Sequence, residues 1–303
     1  MILWRLLILG AIWGSSFLFQ RVAVPELGTG VTAGGRIALA AVALWLMMAA
    51  LRRPLDWREN WKEYFLCGAL NSGLPFLCFA FAAKYLPAGY SAVLNAMVPM
   101  FTVLLAWTTT SKRPSTSKLA GVVLGLLGVI VLARFGTVLM SGATLAAFGA
   151  GMLAALCYAV AALRMRKKFA NNDPLAVATG TQIGSTILLL PWMLLTLPTA
   201  MPSQAAIGAL VMLGLVCTAL AYALYFWLLR DAGSERAVTV TLLVPVFAQI
   251  WGLIFLHEAI GPATLVGLGL VLLAMALVFE KLRWPRAKQP VPVALTEVCA
   301  DKS

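Results

Sequence analysis

Charge is what this sequence has least of. Only 11% of its 303 residues are Asp, Glu, Lys or Arg, while 62% are hydrophobic. A soluble domain carries about 25% charged residues and uses them to cover its surface. A water-soluble globular protein is therefore excluded. Acids are scarcest: 11, against 23 basic residues. They stand at Glu26, Asp56, Glu59, Glu63, Asp173, Asp231, Glu235, Glu258, Glu280, Glu297 and Asp301, none in the middle of an apolar run. That excludes a carboxylate proton relay and a charged trap for cationic drugs. There is one histidine, His257, near the end of a run, and neither an HExxH motif nor a nucleotide-binding glycine loop. An integral-membrane enzyme needs a nucleophile–base pair or metal ligands, and neither is in sight. No enzyme activity, metal or cofactor is expected. The five cysteines (Cys67, Cys78, Cys157, Cys217, Cys299) form no disulfide or metal-binding pattern; four lie in apolar runs and read as inert buried thiols. The apolar-polar alternation of a membrane β-barrel is missing too.

What remains is a series of long apolar runs. About 20 apolar residues cross a bilayer as a helix, and ten such segments can be read: 2–20, 29–51, 61–83, 88–110, 117–134, 143–164, 174–197, 204–229, 237–256 and 263–282. The first carries one early Arg and no small-residue cleavage site before Arg21, so it is a span rather than a signal peptide. With the N-terminus cytoplasmic, 19 of the 23 Lys and Arg residues fall on the inner side; Arg21, Lys84 and Arg134 fall outside, and Arg36 lies within a span. Both termini are thus expected in the cytoplasm. The net charge of +12 is a topology signal split among loops, so nucleic acid is not an expected partner. Trp4, Trp45, Trp57, Trp61 and Trp284 lie near span ends, as interface-belt residues do.

The chain also repeats. A shift of 146 residues lays Pro99 on Pro245, Leu119 on Leu265 and Gly121 on Gly267 without a gap. Leu-rich helices can match by composition alone, but this match holds across three of them. Each half has five spans, an odd number, so the second half would enter from the opposite face. The expected fold is all-α: a polytopic membrane protein with ten transmembrane helices in two inverted five-helix repeats, 1–142 and 143–284, followed by a disordered cytoplasmic tail, 285–303. In such transporters the substrate sits near the midplane, between the repeats. One chain holds both halves, so a monomer is complete. Gly121, Gly125, Gly128, Gly267 and Gly269 read as small-residue packing sites.

Four stretches carry a resemblance: AIWGSSF at 11–17, Arg36 within GGRIALAA, NAMVP at 95–99, and His257 and Glu258 followed by LVGLGLVLLA at 265–274. Together they resemble the EamA group of the drug/metabolite transporter superfamily. The resemblance implies a secondary transporter of the bacterial inner membrane. The chain as a whole resembles amino-acid exporters in that group, which implies aromatic and other neutral amino acids as substrates and membrane lipid as the surrounding partner. A broad-specificity drug or metabolite permease is the alternative, and a channel would be separated from either by countertransport. The sequence departs from symmetry where Lys112 takes the place that Glu258 holds in the second half.

Proline lacks an N–H, so it frees the carbonyl four residues earlier. Pro75, Pro99 and Pro245 free those of Asn71, Asn95 and Thr241. Unsatisfied backbone in a bilayer must face protein, water or ligand. Two broken helices at Pro99 and Pro245 are thus expected to cradle an ammonium group and to act as gating hinges. Polar and aromatic stripes add Ser91 and Thr102 on the fourth helix, Trp13, Phe17 and Gln20 on the first, and Thr218, Tyr222 and Tyr225 on the eighth. Tyr158 completes the candidate substrate-binding set. Each also fits ordinary interhelical packing. Arg36 is the one charge well inside a span, about 10 Å from the outer end. It either receives a substrate carboxylate or plays a structural part, snorkelling outward or tying helix ends together; its place in a motif shared across substrates favours the structural role. Without a buried acid, facilitated or weakly coupled export is expected.

Overall fold

The computed structural model describes residues 2–110, 113–233 and 237–280, and among these every regular element is helical. Seven helices are long and apolar enough to cross a bilayer. The first covers residues 2–50 with a single break at Gly28 (φ 70, ψ 174), dividing it into α1 (residues 2–27) and α2 (residues 29–50). The expected loop at 21–28 is therefore absent: helix continues through Pro25, and one glycine with positive φ makes the whole reversal. Its partners trace the turn. Leu9 packs with Leu228, Leu27 and Val31 with Ala206, and Leu44 with Phe226.

The remaining helices are α3 (Trp57–Ala82), α4 (Ala88–Asn95), α5 (Val98–Thr110), α6 (Thr116–Phe135), α7 (Gly142–Lys168), α8 (Pro174–Leu195), α9 (Gln204–Ala232), α10 (Val240–Leu256) and α11 (Pro262–Val278). The last two are shorter apolar helices of 17 residues each. Their starts are written in local chemistry. Ser115, Ser141, Asp173 and Ser203 each accept a backbone N–H as N-cap, and Pro174 and Pro262 occupy the first turn. The tail 285–303 and Lys112 lie outside the described residues.

Two helices change pitch inside the bundle. Residues Ala69–Gly73 of α3 and Met212–Leu220 of α9 are π-helical. The windows overlap after a shift of 146, although only the first is followed by a proline, Pro75. Each π turn frees backbone and re-aims the side chains on it. Elsewhere in the bundle, α6 and α11 meet through glycine. A Cβ on Gly121 would lie 2.8 Å from Ala274 O, and one on Gly128 would lie 2.9 Å from Gly267 O. Gly125 instead faces Met97 and Met100, and Gly269 faces open space, so those two take no part in this seam.

The broken-helix pair expected from the prolines is only half present. The fourth span is interrupted at Ala96 and Met97, between α4 and α5. By contrast, α10 passes through Pro245 as continuous helix, and the interruption sits upstream, in a turn at Val238 and Thr239. Ion pairs gather at the helix ends: Arg53 with Asp173 (3.0 Å), Arg164 with Glu63 (2.7 Å), Arg5 with Asp231, and, on the loops assigned to the other side, Arg21 with Glu258 (3.4 Å).

Candidate functional site

Arg36 of α2 stands where these pitch changes meet. It is 5% exposed and does not snorkel, which overturns the outward orientation expected for it. Its Nε donates to Thr218 Oγ1 at 2.9 Å, and its guanidinium lies 3.8 Å from the centre of the Phe76 ring. Tyr158, Tyr222 and Cys217 are close enough to interact with it electrostatically. None of the ion pairs among the described residues includes Arg36. No hydrogen bond from its two terminal nitrogens is found there either. A charge taken this far from water without a partner costs at least about 2.5 kcal/mol. Cation–π contact with Phe76 offsets part of that. The remaining donors are free to meet an anion, and a planar guanidinium fits a carboxylate with two parallel bonds.

Thr218 is aimed at Arg36 by the π turn of α9, and its hydroxyl also donates to Leu213 O at 2.8 Å, five residues back. The α-helical stripe assumed for Thr218, Tyr222 and Tyr225 is thus wound differently, but two of its members still reach this place. The Tyr222 hydroxyl accepts from Asn71 Nδ2 at 3.1 Å. Tyr225 turns away to Trp13, with ring centres 5.4 Å apart. Aromatic rings pack in two rows beside this cluster. Tyr225, Phe226 and Tyr222 follow one another along α9. Phe17 meets Phe79 edge-on at 5.5 Å, and Phe79 stacks on Tyr158 at 6.3 Å.

The other expected residues divide. Gln20 and Ser91 are buried, and Gln20 Oε1 and Ser91 Oγ have no partner among the described residues. Asn95 closes α4 at the break, half-buried. Thr102 and Thr241 spend their hydroxyls inside their own chain segment, on Val98 O (2.9 Å) and Val238 O (2.7 Å), so nothing joins them to the Arg36 cluster. Phe76, Ser72 and Gln182 were not anticipated. Gln182 Nε2 donates to Ser72 Oγ at 2.9 Å, and both residues are fully buried. The 146-residue shift, applied to Arg36 itself, lands on Gln182 and was the signal available. Among the described residues no group of acids, histidines and cysteines is placed to hold a metal. An apolar groove of about 540 Å³ along Ser15, Val22, Ala209 and Trp251 shares no lining residue with the Arg36 cluster and carries no charge.

Comparison with known proteins yields a consistent set. The family model described as the EamA-like transporter family matches twice, over residues 1–134 and 145–280. The uncharacterized transporter YoaV of Bacillus subtilis is 24% identical across 82% of this chain and 86% of its own. A probable terminal-alkyne amino-acid exporter of Streptantibioticus cattleyicolor is 26% identical across 95% and 97%. Protein PecM of Dickeya dadantii is 24% identical across 93% of both. A crystal structure of a protein 19% identical, covering 90% of this chain and 94% of that one, superposes with a TM-score of 0.62 and so shares the fold.

Proposed function

Because the chain belongs to the EamA-like transporter family, matched over both halves, we propose that it exports amino acids, aromatic and other neutral ones, by alternating access through a central cavity. Ten spans follow if the break at Gly28 divides the first long helix and the two 17-residue helices also cross. Five spans per half then invert the second copy. The membrane is the bacterial inner membrane, with both termini cytoplasmic. The observation that carries the reading is Arg36: a buried guanidinium with two unused nitrogens and no acid beside it, walled by Phe76, Tyr158 and Tyr222. A carboxylate is the ligand such a group accepts, and rings suit an apolar side chain. The name of the Streptantibioticus relative supports the same substrate class. The alternative, a broad-specificity drug or other metabolite permease, gains nothing from a buried cation where the drug is itself cationic.

Counterflow in proteoliposomes tests this with labelled amino acids and cationic dyes side by side. Wild type is expected to exchange amino acids and not dyes. Arg36→Met should weaken amino-acid affinity by about tenfold to a hundredfold, the worth of a charge-assisted bond. Dye exchange that is indifferent to Arg36→Met would replace this reading with the permease.

A further inference from the structure

Arg36 and its neighbours occur twice. Gln182, Thr218 and Tyr222 stand 146 residues after Arg36, Ser72 and Phe76. Their contacts are exchanged between the halves. Arg36 donates to Thr218 at 2.9 Å, and Gln182 donates to Ser72 at 2.9 Å. Arg36 lies on the Phe76 ring, and Gln182 flanks the Tyr222 hydroxyl. The helix crossings behind them correspond as well. A Cβ on Gly68 would lie 2.3 Å from Thr181 O, and one on Gly214, again 146 residues on, would lie 2.5 Å from Leu39 Cβ. The same frame is built twice and holds two poles.

The poles differ in charge. One is a cation with unused donors. The other is a neutral amide, and its Oε1 is buried without a partner among the described residues, while Gln182 is 0% exposed. An orphan acceptor in the empty protein has lost water and gained nothing in return. A donor supplied by the ligand would remove that cost. Between the poles stands Tyr222, which interacts with Arg36 and takes a hydrogen bond from Asn71, the neighbour of Ser72.

We propose that Gln182 is the ammonium-recognising residue of the transport site, its Oε1 accepting from the substrate's charged amine while Arg36 holds the carboxylate, so that the site selects zwitterions. This rests on the assignment of Arg36 to the substrate carboxylate. Selection follows from both poles being buried: a ligand lacking either charge leaves one of them unpaired.

The test is phenylalanine counterflow in proteoliposomes with the full chain, competed by N-acetylphenylalanine, which keeps only the carboxylate, and by phenylalaninamide, which keeps only the amine. Wild type should prefer phenylalanine to either by about tenfold or more. Gln182→Leu should erase the preference over N-acetylphenylalanine by weakening phenylalanine alone. The unchanged affinity for the acetylated competitor then certifies a folded site. Gln182→Glu should keep the preference, because it keeps an acceptor. A Gln182→Leu protein that still discriminates, or a Gln182→Glu protein that loses phenylalanine, overturns the assignment; the latter would mean that Gln182 donates rather than accepts. Phenylalanine exchange untouched by Arg36→Met would instead sink the carboxylate assignment, a separate failure.

Discussion

Between Asn95 and Val98 the first half of the chain stops being helical, three residues short of Pro99; the corresponding stretch of the second half runs straight through Pro245. The third helices of the halves behave the opposite way. Both turn π over matching windows, although only α3 has a proline behind the turn. Shared proline thus does not produce shared geometry here, and shared geometry does not need it. What α3 and α9 have in common is a glycine, Gly68 and Gly214, at which a neighbouring helix comes within reach of the backbone. Close approach fixes the helix crossings that bear the site, whereas the proline breaks are free to differ between halves.

This comparison can be attacked first at the glycines. Alanine at Gly68 meets a carbonyl oxygen at 2.3 Å, and at Gly214 a Cβ at 2.5 Å; neither neighbour is a flexible side-chain tip. Each substitution should destabilise by about 2–3 kcal/mol, as overpacking does, while Gly269→Ala, facing open space, should be neutral. Thermal unfolding in detergent reads this out. If only one of the two crossings suffers, they are not equivalent.

The prolines come next. Pro99→Ala lets helix heal across Ala96 and Met97, and should slow counterflow by about fivefold with less effect on affinity, a barrier change of about 1 kcal/mol. Pro245→Ala, inside a continuous helix, should leave the rate nearly unchanged. Equal slowing by both would restore the symmetric pair of hinges that the sequence suggests.

The smallest effect is expected at Glu258, in the loop after α10. Both its carboxylate oxygens accept from Ala88 N, at 3.0 and 2.9 Å, at the start of α4, and Arg21 Nε lies 3.4 Å away. Burial nevertheless outweighs these partners and raises its pKa above the ordinary 4.5. A carboxyl whose pKa is higher in the folded than in the unfolded state binds more protons when folded, so stability falls as pH rises between those two values. Glu258→Gln should flatten that slope in melting temperature measured from about pH 4 to neutrality. A slope that survives the substitution belongs to another group.

The spans were legible because apolar runs of membrane length have few other meanings. The expected 143–164 and 174–197 became Gly142–Lys168 and Pro174–Leu195, with caps that the flanking Ser141 and Asp173 announce. Arg36 was conspicuous as a lone charge, and Asn71, Tyr158, Thr218 and Tyr222 were found beside it or in its network. The π turns had no comparable mark, since a stripe at α-helical spacing assumes the very pitch that changes. Gln182 escaped notice for a chemical reason: a neutral amide in an apolar run is unremarkable until its counterpart in the other half is seen to be an arginine. Thr102 and Thr241 misled because a hydroxyl on a helix can satisfy itself on its own backbone.

The one-residue turn at Gly28 has a practical side. With helix running up to Leu27 and resuming at Thr29, there is no slack chain between α1 and α2. A protease has nothing to seize there, and an epitope spliced between them would have to pry apart two helices already packed on α9. The longer connections, such as residues 196–203 between α8 and α9, are the better place to install a tag.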